Sequence, residues 1–374
     1  MSGLFRSFWW GGFESACHIN RASRRLDMIC ATEHDARAAE DFALVRSVGI
    51  RTVREGMRWH LIDRGAGYDF STALPVARAA SEAGIQVVWT LSHYGWPDGV
   101  NLFAPAFVER FRRYSAAVAR FVADQGDEIP VYSPINEISF FSWAAGEAGY
   151  IYPHAQGAGG RVKEQLVRAA IAGMEAIRDV DPRARFLHAD PLIHVVPPRD
   201  RPDLARAAAD RREAQFEAWD MLAGGLRPEL GGDPRFLDIV GANFYHANEW
   251  EYPERRLGWD EGPRDPRWQP LSRLLIDLFH RYNRPMVIGE TSHVGSGRAA
   301  WIREIAAQVG VARAAGVPLE GVCLYPIIDR PDWDDPDHWH RSGLWDCLPA
   351  PGGLDRVLAG DYAAAFAEVR ATLP

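Results

Sequence analysis

The chain has little lysine, and it has no apolar run long enough to cross a membrane. Lys163 is the only lysine among 42 basic side chains in 374 residues, and the formal net charge is -8. The arginines are scattered among 50 acidic residues, so no basic patch of the kind that binds nucleic acid is predicted. No stretch of 18 apolar residues occurs. We therefore expect neither a nucleic-acid partner nor a membrane-spanning helix.

Cysteines are few, and they are spread along the chain without a C-x-x-C pair: Cys17, Cys30, Cys323 and Cys347. This pattern predicts neither a disulfide framework nor a zinc site. Residues 1–12 lack the basic and apolar segments of a secretory signal, so reduced thiols and a cytoplasmic location are expected. His338 and His340 lie close together, but two histidines do not make a metal site. No metal and no cofactor are expected.

Eight short β-branched or aromatic runs alternate with amphipathic stretches whose apolar residues recur every three or four positions. The predicted strands are 8–12, 50–54, 85–91, 129–134, 184–188, 237–244, 285–290 and 321–326. No break in composition separates these repeats. The order predicts an α/β fold, a single (β/α)8 TIM barrel domain over residues 1–374.

A doubly wound sheet is the alternative fold. Such a sheet usually carries a glycine-rich phosphate loop after its first strand. Here the first strand ends in Trp-Gly-Gly-Phe-Glu at 10–14, and the Gly-Ala-Gly-Gly stretch at 157–160 lacks the lysine of a P-loop. The missing fingerprints favour the barrel and predict no nucleotide cofactor.

Polar residues follow six of the predicted strands, at the end of a barrel where active sites are built. They are Arg54, His93, Asn136 with Glu137, Asn243 with Tyr245, Glu290, and Asp332 with Trp333. Several tryptophans fall in the loops after strands, where we expect them to stack on sugar rings: Trp96, Trp143, Trp250, Trp259 and Trp268.

Two of these residues, Glu137 and Glu290, close different strands and can face each other across the barrel mouth. Glycoside hydrolysis needs such a pair, one carboxyl protonated and the other ionised. A single strand-end glutamate is more often a helix cap or half of an ion pair. The donors of Arg54, Asn136 and Tyr245 suit an ionised carboxylate, and together they favour the catalytic interpretation.

Eight short motifs occur in order along the chain. They are F-x-W-G at 8–11, R-x-x-x-x-W at 54–59, T-L-x-H at 90–93, N-E at 136–137, N-F-Y at 243–245, I-G-E-T at 288–291, the segment 325–333, and R-x-G-L at 341–344. With these motifs the chain resembles the retaining glycoside hydrolases of the large (β/α)8 clan. It is most similar to family 1, the β-glucosidase and β-galactosidase family, from about residue 8 to residue 346.

The resemblance implies a role for each matched residue. Glu137 would be the general acid and base, and Glu290 the nucleophile. Arg54 and Tyr245 would hold Glu290, and Asn136 would bind the sugar 2-hydroxyl. The remaining sugar contacts would come from His18, His93, Asn243, Tyr325, Asp332 and Trp333.

Three of these positions depart from the family pattern. His18 stands in place of a glutamine, Tyr325 in place of a tryptophan, and Asp332 in place of a glutamate. Asp332 would repel a phosphate, so a neutral, non-phosphorylated sugar is expected.

Together these inferences predict a retaining, exo-acting β-glycosidase for a small-molecule or oligosaccharide glycoside, which hydrolyses or transglycosylates by double displacement. Two alternatives stay open. One is an endo-acting or differently sugar-selective hydrolase of the same clan, and the other is a non-catalytic barrel that binds glycans. The sequence leaves the oligomeric state open.

Overall fold

The computed structural model describes residues 3–259 and 262–373. Its strands are β1 (Trp9–Gly12), β2 (Thr52–Gly56), β3 (Gln86–Ser92), β4 (Val131–Ile135), β5 (Arg185–Pro191), β6 (His194–Val196), β7 (Ile239–Asn243), β8 (Glu249–Glu251), β9 (Arg255–Arg256), β10 (Met286–Thr291), β11 (Leu319–Leu324), β12 (Trp345–Ala350) and β13 (Gly353–Leu358). Eight of them close into a parallel barrel in the order β1-β11-β10-β7-β5-β4-β3-β2. Each predicted strand overlaps one barrel strand, so the predicted (β/α)8 fold is confirmed.

Helices connect the barrel strands and cover their outer face. They are α1 (Met28–Ala31), α2 (His34–Ser47), α3 (Trp59–Ile62), α4 (Leu74–Glu82), α5 (Pro105–Ala123), α6 (Ile138–Ser142), α7 (Gly159–Val180), α8 (Ala205–Glu213), α9 (Glu217–Leu222), α10 (Leu271–Tyr282), α11 (Arg298–Ala314) and α12 (Gly360–Thr372). A π-helical turn over Trp143–Glu147 continues α6. Among the described residues, no helix is long and apolar enough to cross a membrane.

Two small sheets were not predicted. β6, β8 and β9 form a three-stranded sheet above the barrel, and β12 pairs with β13 as an antiparallel hairpin. β6 and β8 have three residues each and β9 has two, which is too short for a periodic pattern. Pro349 lies within β12. Proline cannot donate to a ladder, so within sheets it is confined to edge positions such as this one.

The barrel interior is filled by apolar side chains, mostly one from each strand: Trp10, Val88, Val131, Leu187, Ile239, Val287, Cys323 and Tyr325. A second and larger apolar layer lies between the strands and the helices. Because the interior is packed, the polar side chains that could meet a ligand lie at the mouth, beyond the carboxyl ends of the strands. The prediction of one domain covers residues 1–374, of which 1, 2, 260, 261 and 374 lie outside the described residues.

A buried ionic network ties the hairpin to the barrel. The imidazole of His34 lies between two carboxylates, with Nδ1 at 2.8 Å from Asp41 and Nε2 at 2.8 Å from Glu55 in β2. Arg356 of β13 donates to both oxygens of Asp41, at 2.8 and 3.0 Å. Burial opposes the charge on His34, but Glu55 and Asp41 outweigh it and raise the pKa of the ring to about 9.

The only lysine lies on α7, the helix between β4 and β5. Nζ of Lys163 donates to Oε2 of Glu217 at 2.6 Å and to the carbonyl oxygen of Ala214 at 3.3 Å. The residue is 8% exposed. Lys163 therefore joins α7 to the segment that carries α9, and its amine is covered.

Candidate active site

A β-bulge in β10 sets the direction of Glu290. The register of β10 shifts between Ile288 and Glu290 against β7, and between Ile288 and Thr291 against β11. Such an irregularity redirects the side chain that follows it. The carboxylate of Glu290 consequently lies in the mouth, where the residue is 4% exposed.

Both oxygens of Glu290 accept hydrogen bonds. Nη1 of Arg54 donates to Oε1 at 2.9 Å, and the hydroxyl of Tyr245 donates to Oε2 at 2.8 Å. Nη1 of Arg54 also donates to the carbonyl oxygen of Gly289 at 2.9 Å. Burial opposes the charge of Arg54, but Glu290 outweighs it and holds the pKa of the guanidinium above its usual value. A charged and a neutral donor therefore stabilise Glu290 as an anion.

Glu137 has a different environment. It follows β4 with a left-handed backbone (φ +47°) and precedes α6. The hydroxyl of Tyr94 hydrogen-bonds Oε2, and Nδ2 of Asn243 donates to Oε1 at 2.9 Å. Both partners are uncharged. Burial, together with the charge of Glu290, raises the pKa of Glu137 to about 8, so this carboxyl holds its proton at neutral pH.

Asn243 reaches Glu137 only because position 289 is a glycine. A Cβ at Gly289 would lie 2.6 Å from Oδ1 of Asn243, which is closer than non-bonded atoms approach each other. That Oδ1 is buried and has no hydrogen-bond partner among the described residues. The glycine before the strand-end glutamate therefore places the amide that contacts the other glutamate.

Asn136 and His93 link the two carboxyl environments. Oδ1 of Asn136 accepts from Nη2 of Arg54 at 2.9 Å, and Nδ2 lies 3.2 Å from Nε2 of His93. On the other side of the ring, Nδ1 of His93 lies 2.9 Å from Oγ of Ser15 and 3.3 Å from the hydroxyl of Tyr325. Burial, with Arg54 nearby, holds the pKa of His93 well below its usual value, so the ring is neutral.

His18 and Trp333 lie beside Tyr94 at the edge of this cluster. The rings of His18 and Trp333 are 4.6 Å apart, and His18 is 1% exposed. Burial, with Arg25, lowers the pKa of His18 to about 3. Neither ring nitrogen of His18, nor Nε1 of Trp333, has a hydrogen-bond partner among the described residues. A ligand hydroxyl would satisfy these buried groups.

Asp332 lies farther out, on the loop after β11. Its Oδ2 is 3.0 Å from Nε2 of His340, and its Oδ1 accepts from the backbone amides of Asp334 and Asp335. The structure therefore brings ten of the eleven predicted site residues into one group, in which all are buried except the half-buried Tyr245 and Trp333, while Asp332 orders its own loop.

Sequence reasoning missed three residues of the site. Tyr94 contacts both Glu137 and Asn136. Glu14 is 5% exposed, and its Oε2 lies 3.0 Å from Nε of Arg330. Asp190, at the end of β5, accepts from the backbone amide of Ser139 in α6. Glu14 and Asp190 follow the rule that located the other residues, since each stands at the end of a barrel strand.

The expectation that the loop tryptophans stack on sugars is wrong for two of the five. Trp96 is 3% exposed, packs against Phe107 and Phe141, and donates from Nε1 to the carbonyl oxygen of Val100. Trp268, like Trp96, belongs to the apolar layer between the strands and the helices. Both rings are buried among apolar side chains, so they serve packing. Trp143 is half-buried and lies against Phe140, near Trp333.

Solved structures of similar fold cover almost the whole chain. A family 1 β-glucosidase from Thermotoga maritima has a TM-score of 0.76 at 16% identity, covering 97% of each chain. A β-glucosidase from the same organism in complex with deoxynojirimycin has a TM-score of 0.78 at 15% identity, covering 97% of this chain and 98% of its own. The AHE enzyme from Alicyclobacillus herbarius has a TM-score of 0.76 at 16% identity, covering 100% and 99%.

The chain thus has the fold of the family 1 β-glucosidases, and the resemblance expected from its motifs is confirmed at the level of the fold. No protein-family model matches the sequence, and no curated protein matches it.

Proposed function

We propose that this protein is a retaining, exo-acting β-glycosidase related to family 1, which hydrolyses or transglycosylates a neutral β-linked sugar. One observation carries the proposal. Two buried carboxyls share the barrel mouth, and their hydrogen-bond partners differ in charge: Glu290 faces a guanidinium, whereas Glu137 faces two uncharged donors. Two carboxyls held in opposite protonation states are what this reaction requires.

In the first step, an oxygen of Glu290 attacks the anomeric carbon while the bond from that carbon to the leaving oxygen breaks. Glu137 gives its proton to the leaving oxygen. In the second step, Glu137 takes a proton from water, or from a sugar hydroxyl in transglycosylation. The oxygen so activated attacks the same carbon and releases Glu290. Two inversions at one carbon retain its configuration.

The charges around the site support a neutral substrate. Arg54 neutralises Glu290, and Arg330 neutralises Glu14. A raised pKa leaves Glu137 protonated. A sugar phosphate or a cationic sugar would meet no uncompensated charge of the opposite sign among these residues, whereas hydroxyl groups match the open positions on His18 and Trp333.

The same edge supports exo action. Nδ2 of Asn20 donates to the carbonyl oxygen of Trp333 at 2.9 Å, and Trp333 packs on His18 and Tyr94. These contacts close one side of the mouth, as expected for a pocket that takes a terminal sugar. Two of the similar β-glucosidase structures are complexes with deoxynojirimycin and with glucoimidazole, which supports a ligand of that size. The proposal includes a cytoplasmic location, supported by four unpaired cysteines.

Hydrolysis of a panel of aryl β-glycosides, with the first-formed anomer followed by NMR, tests the proposal. We expect turnover of at least one glycoside with β product formed first. Glu290→Ala should abolish turnover, and added azide should restore a product of the opposite anomeric configuration. Ser139→Ala, a change in α6 outside the carboxyl contacts, serves as the control for folding.

Three results would contradict the proposal. Net inversion would rule out double displacement, as would a crystal structure with the two carboxyl groups near ~9 Å instead of about 5–5.5 Å apart. A Glu290→Ala variant that azide does not rescue would remove the nucleophile assignment. Binding of glycans without turnover of any substrate in the panel would favour a non-catalytic barrel.

A further inference from the structure

Tyr94 occupies an unusual position in the mouth. It follows His93 at the end of β3 with a left-handed backbone (φ +65°), a conformation that is costly for a residue with a bulky side chain. Its ring is 2% exposed and packs on His93, Phe140 and Trp333. Packing on several sides therefore holds the ring in place, and the left-handed backbone directs the hydroxyl to the site.

The hydroxyl of Tyr94 has two partners. Nδ2 of Asn136 lies 3.1 Å away and donates to the phenol oxygen. The phenol hydrogen is then available to Oε2 of Glu137, which is the other partner. Both oxygens of Glu137 have a matching donor when the carboxyl is ionised, because an ionised carboxylate accepts from both Tyr94 and Asn243.

When Glu137 is protonated, one of its oxygens becomes a donor. The amide of Asn243 can meet that state as well, because its Oδ1 has no hydrogen-bond partner among the described residues and would accept if the amide rotated by half a turn. Tyr94 has no such alternative, since Asn136 already fills its acceptor position. The phenol therefore favours one protonation state of Glu137, while the amide can serve both.

We propose that Tyr94 is a positioning residue that favours the ionised form of Glu137 and thereby adapts this carboxyl to the second step of catalysis. The inference rests on the proposed function. Glu137 must be neutral when it releases its proton to the leaving oxygen and ionised when it takes a proton from water. A donor fixed on Oε2 stabilises ionised Glu137. It therefore assists the uptake of a proton from water and hinders the release of a proton to the leaving oxygen.

Of the other groups that face Glu137, the acidic ones act in the opposite direction, whereas Asn243 acts in the same direction as Tyr94. Glu290 on β10 and Asp190 on β5 are acidic and disfavour a second charge. Asn243 on β7 donates to Oε1, and Tyr245 lies nearby with its hydroxyl on Glu290. Tyr94 is therefore the donor to Glu137 whose direction is fixed, and its removal should change protonation in a predictable direction.

Tyr94→Phe tests the inference, with Tyr114→Phe as a matched control. Tyr114 is equally buried, and its hydroxyl donates to the carbonyl oxygen of Leu91 at 3.1 Å, away from both glutamates. Loss of a hydrogen bond to a charged group corresponds to roughly 10–100-fold in rate. In Tyr94→Phe we expect the second step to slow by that factor, so that activated aryl glycosides give a burst of released phenol before the steady state.

The pH profile supplies a readout that a purely structural role would not move. The first step needs protonated Glu137. The alkaline limb of the pH profile of kcat/KM should therefore move to higher pH in Tyr94→Phe and stay unchanged in Tyr114→Phe. Incorporation of 3-fluorotyrosine at position 94, a stronger donor, should move the same limb to lower pH. Equal loss of both steps with an unchanged limb would overturn the inference.

A direct titration separates failure of this inference from failure of the proposed function. The infrared band of the Glu137 carboxyl, identified by difference from Glu137→Gln, can be followed with pH whether or not a glycoside is turned over. We expect Glu137 to release its proton at higher pH in Tyr94→Phe than in the parent protein. Parent protein that turns over no glycoside but shows this shift would contradict the proposed function alone; an unshifted band would contradict the role of Tyr94.

Discussion

At the scale of residues, the hydrogen bond from Tyr245 to Glu290 gives the first prediction. Tyr245→Phe removes the donor to Oε2 and leaves Arg54 on Oε1. Because hydrogen bonds to charged groups contribute about 1.5–3 kcal/mol, kcat should fall by roughly 10–100-fold. Steady-state kinetics with an aryl glycoside, beside a thermal melt, measures the effect.

Tyr132→Phe is the control for this change. Tyr132 lies in β4, and its buried hydroxyl has no hydrogen-bond partner among the described residues, so its loss should leave kcat unchanged. Equal kinetics in the two variants would show that Tyr245 does not act on Glu290.

The pKa of His34 gives a second prediction, for stability against pH. The folded protein raises this pKa from 6.5 to about 9 through Glu55 and Asp41, against the effect of burial. A raised pKa means that the folded state binds the proton more tightly than the unfolded state. The contribution to stability is therefore complete below about pH 6.5 and lost as the pH rises through 9. Urea titrations at pH 6.5, 8 and 9.5 should show a falling free energy of unfolding.

His34→Gln isolates this effect. The variant leaves the buried carboxylate of Glu55 without its cationic partner and Asp41 with Arg356 alone, so it should lose about 3–5 kcal/mol at pH 6.5. The decline between pH 6.5 and 9 should then be smaller than in the parent protein. A decline of the same size in both proteins would assign it to other groups.

The sequence indicated most of the site residues because strand ends are recognisable and the barrel brings them together. It could not indicate Tyr94, because the contact depends on a left-handed backbone at one residue. Nor could it pair Glu14 with Arg330, which lie far apart in the chain and meet because β1 and β11 are neighbours in the closed barrel. Which oxygen accepts from which donor depends on rotamers, and no sequence pattern encodes these.

At the scale of elements, Glu137 directly precedes the short helix α6, so its position depends on how that helix is held. Both oxygens of Asp190 accept from the backbone amide of Ser139, at 3.0 and 3.2 Å. Asp190→Ala should lower the free energy of unfolding by about 1–2 kcal/mol, the range for a lost helix cap. It should also lower kcat more than it raises KM, because Glu137 is displaced while the sugar contacts remain.

Asp190→Asn is the informative partner of that variant. The amide keeps one acceptor for Ser139, so most of the stability and activity should return. Denaturant titration and steady-state kinetics on both variants test this. If Asp190→Asn proved as damaging as Asp190→Ala, the charge rather than the cap would be the relevant property.

The barrel strands were predictable because each is a short apolar run bounded by glycines or polar residues, and their bounds moved by only a few residues. The hairpin β12–β13 was missed because Leu348, Val357 and Leu358 are exposed, so no apolar alternation marks its strands. Its position depends on Arg356 reaching Asp41, a contact between opposite ends of the chain that no local pattern reveals.

At the scale of the whole molecule, the barrel closes where β1 meets β11 and the last helix covers the seam. Phe366 of α12 packs edge-on against Trp9 at 5.5 Å, and Nε1 of Trp9 donates to the carbonyl oxygen of Leu373 at 2.9 Å. Phe366→Ala should cost about 3–5 kcal/mol through the cavity it leaves. Chemical denaturation measures this.

Val311→Ala on α11 provides the comparison. Val311 is 54% exposed, so its truncation should change the free energy of unfolding by no more than about 0.5 kcal/mol. A similar small effect of Phe366→Ala would mean that the contact between Phe366 and Trp9 does not stabilise the seam.

The covered amine of Lys163 has a further consequence for proteolysis. A protease that cuts only after lysine has one target bond in this chain, between Lys163 and Glu164 within α7. Cleavage there would yield fragments 1–163 and 164–374, which separate strands β1 to β4 from the rest of the barrel. The folded protein should resist such a protease until α7 detaches from Glu217 and Ala214 and unfolds locally, and the rate of this single cut then measures how often that local opening occurs.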